Sequence, residues 1–589
     1  MLKCVIIVAE QKRKLQKNSS HKQEFFLLCR KQYIVKCEVF VKCLTEAIPY
    51  LVVPLWEQQM SYKQKGDRPF YKHNVLNIRR KVNMIDIKDR IVDVVAGKVM
   101  SAEAAAEFVK DGDNVGTSGF TPSGYPKAVP LALAEKGKKT PFKINVWTGA
   151  SVGPEMDTAM TQAGIVDRRM PYQTNNDMRK AINAGQVKYT DLHLSHVAQM
   201  TRYGFMANRR DVDVAIVEAC KIIDLGEGKV GLIPTTSMGN TSSYVQSAKK
   251  VIVEVNVTQP VALEGMHDSY VPLDPPNRKE IPVCAPEDLI GTPYIPCEID
   301  KIVAVVPCDI TDKVRPLGAI DEDAQKMGKN LVDFFKAEVA AGRLPKNLLP
   351  LQSGVGSVAN AVINGLVNSD FEDLTVYTEV IQDGMFDLID AGKLRVCSGT
   401  ALSPSPECLK KFYENVDKYK KYIILRPQEV ANSPEVARRI GVIAMNTAIE
   451  VDIYGNVNST HICGTKLMNG IGGSGDYARN GFLTVFFTTS LAKGGAISSV
   501  VPFCSHVDHT EHDVDVIVSE RGVADLRGLS PKERALVIID KIANPKYQPM
   551  LLDYFHRACE ACKNSQTPHI LSEAFAFHTR FNETGTMEK

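Results

Sequence analysis

The chain has 589 residues, 44% hydrophobic and 24% charged, an ordinary globular composition with length enough for two or more domains and large buried cores. Its formal charge is +3, but residues 1–83 carry 17 Lys and Arg against 6 Asp and Glu, which leaves 54 against 62 for residues 84–589. An acidic body of this kind excludes a nucleic-acid-binding surface spread over it, because such a surface needs a basic stripe to neutralise phosphates.

Residues 1–83 hold basic clusters at Lys12–Lys14, Arg30–Lys31 and Arg79–Lys81 and short apolar runs without a sustained helical or strand period. They are expected to be a basic extension outside the native domain, either preceding a true start at Met84, the favoured reading, or forming a poorly ordered tail. A targeting presequence ranks third. Met1–Ala9 is too short an apolar stretch for a secretory signal and runs into Glu10–Lys14 without a small-residue cleavage site.

From Met84 onward, short β-rich runs (Val214–Val217, Val251–Val255, Ile302–Val306, Val514–Val518) alternate with amphipathic segments, the pattern of an α/β protein with parallel sheets. Two units share a plan of apolar strand, Gly/Ser loop and helix. In one, Asn114–Gly116 leads through TSGFTPSGYPK into AVPLALAEK; in the other, Leu348–Leu351 leads through QSGVGSVAN into AVINGLVNS. Two related tandem open α/β domains are therefore expected, residues 84–305 and 306–589, joined where VPCDITDKVRPLG breaks the periodicity.

Three Gly-rich loops at strand ends, Gly116–Gly124, Gly354–Gly356 and Gly470–Asn480, would let backbone amides approach a phosphate, a carboxylate or an oxyanion. None is a Walker A sequence or a dinucleotide fingerprint. The strand Leu374–Val376 delivers Glu379 to its carboxyl end, where open α/β sheets bind ligands; the bland alternative is a solvated surface carboxylate. Later in the chain, Ser530, Pro531 and Glu533 read as a capping box opening a helix.

Cys504, His506, His509 and His512 are close in sequence, but an odd spacing on a strand would turn His506 and His509 to opposite faces, so no metal site is expected. The lone CxxC of Cys559 and Cys562 has no second pair at zinc spacing, and the 14 scattered cysteines read as buried thiols of a reducing, cytoplasmic compartment. No apolar run reaches the roughly 18–20 residues that span a bilayer.

From about Met84 to near its end, the chain resembles the acetyl-CoA hydrolase/transferase family, within the class I CoA-transferases and especially its succinyl-CoA:acetate CoA-transferase members. The stretches that carry the resemblance are QSGVGSVANAV, YTEVIQDGMFDLIDAGK, GIGGSGDYARNG, AKGGAISSVVP and DHTEHDVDVIVSERGVADLRG. The resemblance implies that Glu379 is the catalytic residue, that the backbone amides of Val355 and Gly473 form an oxyanion hole, and that Gly354, Gly356, Asn432 and Lys493 contact coenzyme A, with Glu520 in support. It implies no permanently bound cofactor: coenzyme A is a substrate held covalently as a glutamyl thioester. The implied partners are acyl-CoA, small carboxylates and a second copy of the chain, with neither nucleic acid nor membrane. Segments GFTPSGYPK and Met200–Met206 are expected to shape the acceptor pocket. Two other readings stay open, an acyl-CoA hydrolase using the same glutamate and a non-catalytic acyl-CoA-binding protein.

Overall fold

In the first half, Val214–Ala219 and Lys250–Asn256 centre on the apolar runs Val214–Val217 and Val251–Val253 and are buried on both faces, as strands inside a parallel sheet must be. A computed structural model describes residues 85–207, 211–316, 318–354 and 356–589; the expectations for residues 1–83 and for Val355 fall outside them. The main sheet of the first half has seven strands: β1 (Asn114–Thr117), β2 (Ile144–Trp147), β3 (Val166–Met170), β4 (Lys188–Tyr189), β5 (Val214–Ala219), β6 (Lys250–Asn256) and β7 (Ile302–Cys308). They pair in the order β7-β6-β5-β1-β2-β3-β4, every pair parallel.

The second sheet has eight strands: β8 (Leu351–Ser353), β9 (Leu374–Tyr377), β10 (Leu394–Gly399), β11 (Ile423–Leu425), β12 (Ile443–Thr447), β13 (Leu483–Phe487), β14 (Val516–Ser519) and β15 (Gly522–Asp525). Their order is β11-β10-β9-β8-β12-β13-β14-β15, parallel except for the antiparallel edge pair β14 and β15. The strand order reverses at β1 in one sheet and at β8 in the other. A crevice opens at the carboxyl ends of the strands at such a point, and the loops that follow β1 and β8 are the first two Gly/Ser loops.

Helix α1 (Ala128–Lys139) follows the first loop and α3 (Ser357–Val367) the second; α2 (Leu194–Arg202) and α4 (Ser474–Ala478) lie between and beyond. The first loop is clamped by the fully buried Lys127, whose ammonium lies 2.5 Å from Glu218 and 2.8 Å from Asp312. Asp312 also accepts from the Gly124 amide, and the Ser118 hydroxyl donates to the Gly124 carbonyl at 2.8 Å. A large continuous core joins the two sheets, and a second core lies between β13–β15 and the C-terminal helices. The first of those helices, α5 (Pro531–Lys541), opens with the expected capping box of Ser530 and Glu533.

Two local expectations shift. The strand read at Leu348–Leu351 begins only at Leu351, because Leu348 takes a left-handed φ of 56° and Pro350 has no N–H for a ladder. The segment read as a strand through His506 and His509 is a loop with a short turn at Glu511–Asp513, so its side chains diverge for another reason: Cys504 Sγ points to the Asn456 carbonyl at 3.2 Å, His506 stacks on His461, and His509 Nε2 meets Ser474 Oγ at 3.0 Å. Among the described residues no helix is long and apolar enough to cross a membrane.

Candidate active site

Glu379 stands two residues past the end of β9, and its backbone is held on both sides. Thr378 bridges to Ser353 at the end of β8 through its hydroxyl, and the Glu379 carbonyl accepts from Thr400 N at 2.8 Å and Ala401 N at 3.2 Å. Three residues on, Gln382 clamps the second Gly loop: its Nε2 donates to the Gly354 carbonyl at 2.7 Å and its Oε1 accepts from Gly356 N at 3.3 Å. Gly356, at φ 132°, occupies backbone space that a side chain would strain, and it opens α3.

Two N–H donors meet the Glu379 carboxylate. Asn432 Nδ2 donates to Oε1 at 2.6 Å, and the Gly473 backbone amide donates to the same carboxylate. Their placement has a visible local cause. Tyr377 on β9 and Tyr477 on α4, both fully buried, donate to the carbonyls of Val430 and Ala431 at 2.6 Å and 2.5 Å. The turn that ends in Asn432 is thus pinned both to the strand carrying Glu379 and to the helix after Gly473. A Cβ built on Gly473 would fall within the Glu379 carboxylate and against Asn432 Nδ2, so only glycine fits this close approach.

The carboxylate faces a cleft of about 140 Å³ lined from both halves: Phe120, Thr121 and Tyr172 from the first, Gly354, Asn446 and Gly470–Ser474 from the second. Burial pushes the Glu379 pKa up to about 8; the nearby Asp476 adds to the rise, and the Asn432 and Gly473 hydrogen bonds offset only part of it. Burial likewise raises Asp476 to about 7, and burial with the charge of Glu379 raises Tyr172 to about 12.

Two expected results arise here. Asn432→Ala removes a donor that favours the ionised carboxylate, so the acid limb of kcat/KM should move to higher pH and kcat should fall about 10²-fold, as for loss of one oxyanion-hole donor; a pH–rate profile checks both. The second concerns stability. With its pKa raised in the fold, Glu379 keeps a proton that the unfolded chain releases near 4.5, so stability present at low pH is lost as pH rises toward about 8. Glu379→Gln should therefore melt above the parent by about 2–6 °C near pH 8, with the gap closing near pH 5. A gap independent of pH in a melting series would contradict this.

The structure thus brings Glu379, Gly473, Asn432 and Gly354 together, with Gly356 at the head of the adjoining helix. Lys493 is exposed, its ammonium 4.8 Å from the Phe581 ring, and does not line the cleft. Glu520 accepts from the Ser490 amide at 2.9 Å and from the Ser490 hydroxyl, which ties down the loop after β13; it does not line the cleft either. Of the two segments expected to shape the pocket, the first supplies Phe120 and Thr121, whereas Met200–Met206 supplies no lining residue and Met206 lies in the core. Sequence reasoning missed Tyr172, Gln382, Ser195 and Asp476. Asp476 and Gln382 do lie in two of the stretches that carried the resemblance, but their roles rest on side-chain contacts across the fold.

Residues 88–307 match the acetyl-CoA hydrolase/transferase N-terminal domain and residues 409–555 its C-terminal domain. The chain is 53% identical over 493 residues to a succinyl-CoA:acetate CoA-transferase of Clostridium kluyveri, covering 83% of this chain and 90% of that protein. It is 42% identical over 519 residues to an acetyl-CoA hydrolase of Schizosaccharomyces pombe, covering 84% and 99%. A crystal structure of a 4-hydroxybutyrate CoA-transferase from Porphyromonas gingivalis superposes with a TM-score of 0.53 at 20% identity, covering 78% and 98%, and shares the fold. With family matches in both halves and a relative 53% identical over 83% of this sequence, the chain belongs to the acetyl-CoA hydrolase/transferase family.

Proposed function

We propose that the chain moves coenzyme A between a short-chain acyl-CoA and a carboxylate such as acetate or succinate, with Glu379 as the covalent nucleophile. The observation that carries this reading is a carboxylate at a strand end, met by two N–H donors and facing a cleft built from both halves. At about 140 Å³ the cleft is far below the roughly 300 Å³ at which pockets for drug-sized ligands begin, and it suits a small acid.

The chemistry follows from the groups present. The Glu379 carboxylate attacks the acyl-CoA carbonyl, the C–S bond breaks, and CoA thiolate leaves an acyl-glutamyl anhydride. The thiolate then attacks Glu379 Cδ, the anhydride C–O bond breaks, and the first acid departs from a glutamyl-CoA thioester. The second acid attacks Cδ, CoA leaves again, and its attack on the new anhydride's acyl carbon yields product and free Glu379. Each attack on Cδ puts negative charge on a Glu379 oxygen, where Asn432 and Gly473 already donate; one such donor contributes about 3–4 kcal/mol. Gly354 and the loop it opens, with Val355 as a second amide donor, are proposed to serve the acyl oxyanion. Lys493 is proposed to meet the polar tail of coenzyme A, and tail binding remote from the reacting carbon would supply the positioning that a weak carboxylate nucleophile requires.

The same reading takes residues 84–305 and 306–589 as two domains, a boundary that falls within β7 (Ile302–Cys308) and ahead of the helix Glu322–Ala340. It also takes the active form as a homodimer and, with ten free cysteines among the described residues, the compartment as the reducing cytoplasm. Water as the acceptor is the second reading, favoured by the hydrolase relative from Schizosaccharomyces pombe. Release of CoA measured with and without acetate, succinate, propionate or butyrate separates the two. Transfer predicts acceptor-dependent, ping-pong kinetics; turnover that is as fast without any acceptor would leave hydrolysis as the activity.

A further inference from the structure

Asp476 takes no part in the transfer steps, yet it lies beneath the reacting carboxylate at 4% exposure. It stands in the first turn of α4, and the amino end of α2 from the other half closes over it. Ser195 N donates to Oδ2 at 2.9 Å and Ser195 Oγ to Oδ1 at 2.6 Å, so the carboxylate is held from the α2 side. On its other side Oδ2 faces Asn432 Nδ2 at 3.4 Å, the nitrogen that donates to Glu379 at 2.6 Å.

One NH2 group, with two hydrogens, therefore lies between two carboxylates. Turned over, the Asn432 amide would present its oxygen to both anions. In the observed orientation Oδ1 is buried without a partner among the described residues, an unfavourable arrangement that the two flanking carboxylates outweigh.

We infer that Asp476 is a positioning residue for the Glu379 reaction: it locks the Asn432 amide with its N–H toward Glu379 and keeps a negative charge beside the nucleophile. The inference rests on the reading of Glu379 as nucleophile. Removing Asp476's charge lowers the pKa of Glu379, and unlocking the amide weakens the donor aimed at Cδ's oxygen. The other titratable groups near Glu379 are Tyr172, from the segment after β3, and Tyr477 of α4; His193, His509, Asp508 and Arg479 line the neighbouring cleft beside Asp476. Burial lowers the pKa of both His193 and His509.

Asp476→Asn keeps the volume and removes the charge. It is expected to lower kcat on the pH plateau about 30-fold and to change KM for either substrate less than about 3-fold. In an Asn432→Ala background the same substitution should lower kcat by less than about 2-fold, because its effect on kcat runs through that amide, and with no amide left to unlock the lost charge should move the acid limb of kcat/KM to lower pH. A full, independent loss in that background, or an unmoved acid limb, overturns the inference. Should Asp476→Asn fail to fold, Ser195→Ala, which loosens the same carboxylate, is expected to lower kcat about 5-fold and likewise to be silent beside Asn432→Ala; multiplicative losses overturn the inference. Glu379→Ala in the same assays separates the two levels. An active Glu379→Ala enzyme defeats the nucleophile reading, whereas an inactive one beside a silent Asp476→Asn defeats only the role of Asp476.

Discussion

Glu379→Ala is expected to lower kcat/KM for CoA transfer by about 10⁵-fold, leaving KM for acyl-CoA within a few-fold of the parent. The reason is specific to the group removed. No other carboxylate faces the cleft among the described residues that line it, and the two N–H donors at this position are aimed at the oxygens of this side chain. Glu379→Asp should recover little, because shortening the side chain by one methylene withdraws the carboxylate from donors set for the longer one, and small misplacements of reacting atoms already lose about 10²-fold. Steady-state kinetics on folded protein, checked by an unchanged far-ultraviolet dichroism spectrum, reads both results.

Gly473→Ala carries the second large effect. The new Cβ has no room: it would overlap the Glu379 carboxylate and press on Asn432 Nδ2. Either the carboxylate turns away from both donors or the turn Gly470–Gly473 moves, and in each case the N–H of residue 473 no longer meets the oxyanion. Loss of one such donor alone lowers kcat by about 10²–10³-fold, so with the nucleophile displaced as well a loss beyond about 10³-fold is expected. Gly472, at a left-handed φ of 65°, has only the Tyr172 ring edge near its would-be Cβ, at 3.5 Å, and its substitution should be milder and act through backbone strain. A ratio of losses at 473 and 472 well above unity, with little change in melting temperature at 473, would tie the effect to the site.

What the sequence disclosed and what it hid divide along physical lines. Buried parallel strands are apolar on both faces, so β5, β6 and β7 were legible within two residues, and the capping box of α5 was legible because its signal is local. The paired plan of strand, loop and helix pointed to the two places where the strand order reverses. The start of β8 was missed because left-handed Leu348 and Pro350 override its apolar run. At the site, the strand end made Glu379 only one candidate carboxylate, and the family resemblance selected it. Asp476, Ser195 and Tyr172 were hidden for a different reason: Ser195 and Tyr172 lie in the first half and Asp476 in the second, and only the packed chain puts them around one side chain.

The covalent role of Glu379 is tested most directly by trapping. Incubation of the enzyme with acyl-CoA in the absence of an acceptor acid, followed by borohydride reduction and peptide mass analysis, should find the glutamyl thioester reduced to the alcohol, with the mass change on the peptide that contains Glu379 and nowhere else. A Glu379 peptide of unchanged mass from an enzyme that transfers CoA once an acceptor acid is added would contradict the mechanism.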